Sequence, residues 1–372
     1  MKNVLIIYKF LPYYRVEFYE LLRIKLSKND INLNLIYGNS NKIDALKGDE
    51  TEIDWANHII NHRFFIGKTE ILWQPCLSQI KDMDLIIVQP ENKLVLNYYL
   101  MLARHFSKYK LAFWGHVYHM QDNVNSIRNK FKLPFLNMCD WWFGYTSSAK
   151  KYLLAKNYPE NKITVVQNAI DTLRLKKKYS EISDIELNSC KNNIGVCGSN
   201  IGIFCGSMYP DKDFDFILQT CYRIKKEISD FHMLFVGSGI ESAKIIKASK
   251  TSNWIHFIGP KFGEERVIYF KMASIQIMPK LIGLSILDSF AMETPLITTD
   301  HPFHGPEIDY LENGINGIIT KSNVDDYSNV IIDQFKTKKY LDFVRGGKLS
   351  SDKLTVENMT ENFKNGILAC LS

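Results

Sequence analysis

The strongest constraint on this chain's fold is an alternation, met twice, of short apolar runs with longer helical patterns. Asn3–Tyr8 (NVLIIY) has the length and β-branched content of a buried strand, and Arg15–Leu26 follows with apolar residues at helical spacing. Ile31–Tyr37 alternates like a strand. Asp84–Val88 is another apolar run, followed by a helical pattern through Arg104. Leu111–Trp114, Trp141–Tyr145 and Ile163–Val166 continue the series, with a helix expected from about Ser148. A second series has strands at Ile201–Cys205, His232–Val236, Trp254–Ile258, Ile275–Met278 and Pro295–Thr298, and a helix at Asp213–Glu227. Such alternation implies parallel sheets covered by helices. Thr172–Asn193 is polar and charged and reads as the boundary between the two series. The expected fold is therefore α/β, with two Rossmann-like doubly wound domains and an interdomain cleft. The expected bounds are 1–171 for the N-terminal domain, 172–193 for a linker and 194–345 for the C-terminal domain. A helical segment, 346–372, is expected to pack back on the N-terminal domain. In open sheets of this kind ligands bind outside the carboxyl ends of the strands.

Of the 372 residues, 46% are hydrophobic and 23% charged, enough apolar side chain for two cores. No segment reaches the roughly 18–20 apolar residues that span a bilayer. The start, MKNVLIIYKF, lacks a long apolar region and a small-residue cleavage site, so it reads as a strand, and a cytoplasmic location is expected. The seven cysteines include no C-x-x-C pair, which disfavours a disulfide framework or a zinc site. Residues 1–170 hold 22 Lys and Arg against 15 Asp and Glu, and the remainder holds 24 against 25. A basic first half suits an anionic partner. Within it, Ser126–Trp142 is basic and aromatic, and Phe131, Phe135 and Leu136 are candidates for contact with an anionic membrane surface. The other reading of those apolar residues is core. His58 and His62 have helix-face spacing, but no glutamate follows His58 as a metalloprotease requires. G-x-S-x-G, a P-loop and a G-x-G-x-x-G after the first strand are all missing, which argues against an ordinary dinucleotide-dependent dehydrogenase.

The stretch richest in chemistry is Met278–Asp300, MPKLIGLSILDSFAMETPLITTD. A strand leads through Pro279 and Lys280 to Gly283, and a helix is expected from about Leu284 to Met292. The first N–H groups of a helix have no intrahelical acceptor, so Gly283, Leu284 and Ser285 could hold a diphosphate. Asp288 lies one turn further in, placed to accept hydrogen bonds from hydroxyl groups.

This stretch resembles the donor-site signature of the retaining family 4 glycosyltransferases, E-G-F-G-L-x-x-x-E-A-M-A-x-G-x-P-V-I. Gly283, Leu284, Ala291 and Pro295 match, and Asp288 stands at the second acidic position, where the family binds the nucleotide ribose. Lys280 stands at the first acidic position, and Glu293 replaces a glycine. Gly206–Lys212 (GSMYPDK) resembles the family loop G-R-L-x-x-x-K, with Lys212 retained and Ser207 in the arginine position. Gly237-Ser238-Gly239 and Gly259 stand where the family approaches the nucleotide. Glu307, in His304-Gly305-Pro306-Glu307, resembles a further family element, with a structural role slightly favoured over sugar binding. His116 ends a strand where the family places a histidine facing the donor sugar. Pro12-Tyr13-Tyr14-Arg15 is similar to a sub-group acting on lipopolysaccharide-type polymers.

The resemblance implies the GT-B fold and transfer of a hexose from a UDP- or GDP-sugar, with retention of configuration. It implies a polyprenyl-linked or saccharide acceptor of surface-polysaccharide synthesis. His116, Lys212 and Lys280 are the implied catalytic residues. Ser207, Gly237, Gly259, Gly283, Leu284, Ser285, Asp288 and Glu307 are the implied donor-binding residues. No cofactor or metal is required, because lysines and backbone N–H groups meet the developing diphosphate charge. Lys280 is expected to replace the cation lost at Ser207. The inner face of the cell membrane is a further expected partner, and nucleic acid is not one. A GT-B subunit that binds nucleotide sugar without catalysis, or activates a partner transferase, stays open as the alternative.

Overall fold

The computed structural model describes residues 1–67, 69–117 and 135–372. They divide into two compact units, the first of residues 1–45, 49–168 and 356–372, the second of residues 46–48 and 169–355.

The first unit is built on β1 (Lys2–Tyr8), α1 (Val16–Ser27), β2 (Ile31–Tyr37), β3 (Asn57–His58), β4 (His62–Ile66), β5 (Thr69–Trp73) and β6 (Leu85–Val88). It continues with α2 (Val95–Ala103), β7 (Lys110–Gly115), β8 (Trp141–Gly144), α3 (Ser147–Ala155) and β9 (Ile163–Val165). Seven strands form one parallel sheet in the order β3-β2-β1-β6-β7-β8-β9, and β4 and β5 make a separate antiparallel hairpin. Val4–Ile7 and Leu85–Val88 are buried on both faces, as parallel strands covered by helices must be. His58 and His62 lie on β3 and β4, both exposed, so their spacing is not that of one helix face.

The second unit begins with α4 (Thr172–Glu181) and α5 (Asp184–Ile194), where the polar composition suggested a linker. These helices bury little, with only Thr172 and Leu175 enclosed in α4 and nothing in α5. The unit then runs through β10 (Asn200–Cys205), α6 (Phe214–Glu227), β11 (Phe231–Val236), α7 (Ser242–Thr251), β12 (Ile255–Gly259), α8 (Val267–Met272) and β13 (Ile275–Ile277). It closes with α9 (Ser285–Ala291), β14 (Leu296–Thr299), β15 (Gly317–Thr320), α10 (Val324–Thr337) and α11 (Tyr340–Lys353). Its six strands are parallel, in the order β12-β11-β10-β13-β14-β15. α6 shows why the sequence folds this way: Phe214, Ile217, Cys221 and Ile224 recur at helical spacing and are all buried.

The chain then returns to the first unit as α12 (Val356–Leu371). Phe363 stacks on Phe143 with centroids 4.3 Å apart and meets Phe18 and Trp114 edge-on. Lys110 Nζ donates to the Cys370 carbonyl at 2.6 Å. The crossing falls later than the expected residue 346, because α11 belongs to the second unit. There Gly347 lies against Phe290, and Asn316 Nδ2 donates to Ser350 Oγ at 3.0 Å.

Candidate functional site

β10 and β13 are neighbours in the second sheet, and the chain leaves them in opposite directions. From β10 it proceeds to β11 and β12 on one side. From β13 it proceeds to β14 and β15 on the other. This is a topological switch point, where the loops after the two strands diverge and leave a crevice. The flanking loops are 206–213 and 278–284, which carry Ser207, Lys212, Lys280, Gly283 and Leu284 among the expected site residues.

The glycines after β10 and β11 have a packing explanation. Gly206 N–H donates to Val236 O at 3.0 Å, Met208 N–H to Ser238 O at 2.8 Å and Gly237 N–H to Gly259 O at 2.8 Å. A Cβ on Gly237 would collide with the Gly206 carbonyl, and one on Gly239 with the Met208 carbonyl. Gly237 also has φ +134, a backbone that favours glycine. The G-x-G pattern thus lets adjacent loops hydrogen-bond edge to edge. Ser207 is half-buried on the first of these loops.

Lys212 and Lys280 both reach across the crevice, in opposite directions. Lys212 Nζ donates to the carbonyl of Leu281 on the far loop and lies 3.8 Å from Met278 Sδ. Burial lowers its ammonium to about 8, with Asp211 pulling weakly the other way. Lys280 Nζ returns to Asp213 Oδ2 at 2.6 Å. Asp213 Oδ1 accepts from Phe216 N–H and so caps α6, and the Asp213 carboxyl is held below its usual range because these partners outweigh its burial. Lys280 is therefore charge-paired inside its own unit, a partnership the sequence reading did not include.

The loop from Leu281 to Ser285 is held from beneath. His304 Nε2 donates to the Thr299 carbonyl at 2.8 Å, which leaves Nδ1 to accept from Ile282 N–H at 3.2 Å. Burial pushes this imidazole down to about 4, so it is neutral near pH 7 and its tautomer is fixed. Gly305 N–H donates to the Ile282 carbonyl at 2.7 Å. A Cβ at Gly305 would come within 2.6 Å of that carbonyl oxygen and 2.9 Å of Glu307 Oε2. Glu307 is only 4% exposed, and its Oε2 is also 3.8 Å from where a Cβ on Gly283 would stand. The turn after Gly283 uses Ile286 N–H to Gly283 O and Leu287 N–H to Leu284 O. The N–H groups of Gly283, Leu284 and Ser285 have no acceptor among the described residues. Leu281 has φ +50, a strained backbone for a non-glycine residue.

Asp288 is 5% exposed, and its Oδ1 accepts from Arg266 Nη2 at 2.7 Å. Burial pushes its carboxyl up and Arg266 opposes that shift. It is thus engaged inside the second unit by an arginine that the sequence analysis did not single out. α9, at seven residues, is short, and Ile286–Ala291 are all buried.

His116 belongs to the first unit. It is exposed, just beyond the end of β7, with its ring edge-on to Tyr145 at 4.9 Å. Arg15 is 1% exposed, among the rings of Tyr14, Trp114 and Tyr145, and it donates to Asn168 Oδ1. Of the segment Ser126–Trp142, residues 126–134, Phe131 among them, lie outside the described residues, as does His119. Leu136 is core and not a surface residue: it is 4% exposed, and Trp142 Nε1 donates to its carbonyl at 3.0 Å. Phe135 is half-buried and packs edge-on against Tyr98. No described helix is long and apolar enough to cross a membrane.

Residues 199–336 match the family model described as glycosyl transferases group 1. No curated protein matches the chain. A glycosyltransferase from Rickettsia africae is similar in structure, with TM-score 0.70 and 16% identity over 99% of this chain and 97% of that one. So is Anabaena HepE in complex with UDP-glucose, with TM-score 0.70 and 11% identity over 99% and 100%. A UDP-GlcNAc 2-epimerase from Methanocaldococcus jannaschii also resembles it, with TM-score 0.57 and 16% identity over 94% and 98%. At these identities the likeness is one of fold, and the epimerase shows that this fold serves more than one chemistry. The chain has the two-domain GT-B fold, and its second unit is similar to the group 1 glycosyl transferases over the residues that form the switch-point crevice.

Proposed function

We propose that the chain is a glycosyltransferase that moves a sugar from a nucleoside-diphosphate donor held at the switch point of the second unit. One observation carries this reading. Lys212 and the unengaged N–H groups of Gly283, Leu284 and Ser285 come together where the loops after β10 and β13 diverge. A diphosphate leaving group gathers negative charge as the anomeric bond breaks, and fixed N–H groups with a lysine stabilise it without reorganising. Lys212, buried and lowered to about 8, would regain its proton affinity beside such an anion. The family match over residues 199–336 supports the same reading.

The finer proposals follow from the resemblance. Transfer is of a hexose with retention, the leaving phosphate takes the acceptor proton, and His116 orients the donor sugar. Gly237, Gly259, Ser207 and Glu307 shape the pocket, and Asp288 keeps its place near the ribose through Arg266. The acceptor is a polyprenyl-linked or saccharide intermediate of a surface polysaccharide, met at the inner face of the membrane. Because lysine and backbone N–H groups supply the positive charge, turnover should persist in excess EDTA.

The test is a panel of UDP- and GDP-sugars in thermal-shift and hydrolysis assays on the purified chain. A ligand that binds only the folded state raises its melting temperature, by an amount that grows with concentration over Kd. Stabilisation by one donor with slow release of its sugar supports transfer. Stabilisation by none contradicts it.

A further inference from the structure

We infer that Asp213, held in place by Lys280, is a sugar-reading residue: its carboxylate accepts hydrogen bonds from donor hydroxyls, leaving the diphosphate to Lys212. The inference rests on the donor site proposed above and divides that site into two halves.

The two lysines of the crevice are not equivalent. Lys280 meets a carboxylate oxygen at 2.6 Å, so the Lys280–Asp213 pair has no net charge to offer a phosphate. Lys212 donates to a backbone carbonyl, which neutralises nothing. An ionised carboxylate beside a diphosphate would raise the energy of the complex, since like charges at short range repel strongly in a partly desolvated crevice. Asp213 therefore suits the part of the donor that carries hydroxyl donors and no charge.

The geometry of Asp213 agrees. Among the described residues, its two hydrogen-bond partners are Phe216 N–H on Oδ1 and Lys280 Nζ on Oδ2. A carboxylate offers about four lone-pair positions, so two acceptor positions remain for hydroxyl hydrogens. The side chain is half-buried at the end of the loop after β10, open enough to be reached and enclosed enough to hold one rotamer. Its backbone, φ +54, is one that glycine adopts without strain. Keeping a carboxylate there costs conformational energy, and capping α6 alone could be done by a residue in an ordinary backbone. Lys280, by fixing Oδ2, acts as the positioning residue, and its ammonium also lies over the Phe216 ring, 5.7 Å from the centroid.

The experiment is isothermal titration of UDP, GDP and the preferred nucleotide sugar, with steady-state kinetics, on the full chain and its Asp213→Asn and Lys280→Met variants. Asn keeps an oxygen for the α6 cap and removes the charge. Asp213→Asn should lower donor kcat/KM by about tenfold or more, the scale of one charged hydrogen bond. It should also narrow the preference between donors epimeric at a single hydroxyl. Free nucleoside diphosphate should bind within about threefold of wild type, well below that loss. Lys280→Met should reproduce part of the donor loss with the same nucleotide affinity. Equal weakening of nucleotide and nucleotide sugar would place Asp213 on the phosphate side and overturn the inference. So would unchanged donor kinetics in Asp213→Asn. If wild type binds no nucleoside diphosphate, the donor-site reading fails and this inference falls with it. A melting temperature near wild type separates each result from misfolding.

Discussion

In the proposed transfer, Lys212 is the residue that meets the diphosphate charge. Its ammonium is lowered by burial to about 8, against an ordinary lysine near 10.5. A bound diphosphate favours the protonated form, so nucleotide affinity should hold steady below pH 8. It should then fall as pH rises, because binding must restore a proton that the free protein has lost. Titration calorimetry at pH 7 and pH 9 in buffers of different ionisation enthalpy would show that proton uptake at the higher pH only. Lys212→Arg should flatten the dependence, since arginine keeps its charge throughout. His304 works through the loop it pins. Its folded value of about 4 lies below its unfolded value near 6.5, so the stability it contributes is complete above pH 6.5 and is lost as pH falls toward 4. His304→Ala should destabilise the second unit by about 2 kcal/mol in chemical denaturation, because Ile282 N–H and the Thr299 carbonyl both lose their partner. It should also raise donor KM.

At the scale of elements, the strands were legible and the polar partnerships were not. Val4–Ile7, Leu85–Val88 and Ile201–Cys205 are runs whose only stable place is a buried parallel sheet, and each is one. The helices α4 and α5 were missed because composition spoke louder than capping. Asp171 accepts from Arg174 N–H, Ser183 accepts from Glu186 N–H, and Gly195 ends α5 with φ 75. Ser183 with Glu186 and a closing glycine is a readable helix frame even where little is buried. The places of Gly283 and Lys212, in the loops after β13 and β10, were legible because short motifs mark them. Lys280–Asp213 and Arg266–Asp288 were not, since residues 67 and 22 apart meet only through the order of strands. Arg266→Ala should be costly, about 3–5 kcal/mol, because it leaves the Asp288 carboxylate buried without its cation. Arg266→Ala with Asp288→Leu should recover much of that loss, as a buried pair is often replaceable by apolar packing. Urea denaturation of the single and double variants would show it.

For the whole molecule, apart from the short excursion of residues 46–48, the chain crosses between the units near residues 168 and 355. The second delivers α12 to the first unit, where Phe363 is wholly buried among Phe18, Trp114 and Phe143. Phe363→Ala should cost about 3–5 kcal/mol, as for other large buried aromatics. Differential scanning calorimetry should show the loss in the transition of the first unit while nucleotide affinity in the second is kept. The central claim is that the second unit holds a nucleoside diphosphate through Lys212 and the Gly283–Ser285 backbone. The most direct test is titration of UDP and GDP into the wild-type chain and Lys212→Ala. Saturable binding of one nucleotide to wild type, weakened about tenfold or more in the variant, is the result predicted, since a charged hydrogen bond is lost. Equal affinity in both, or none in either, would contradict it.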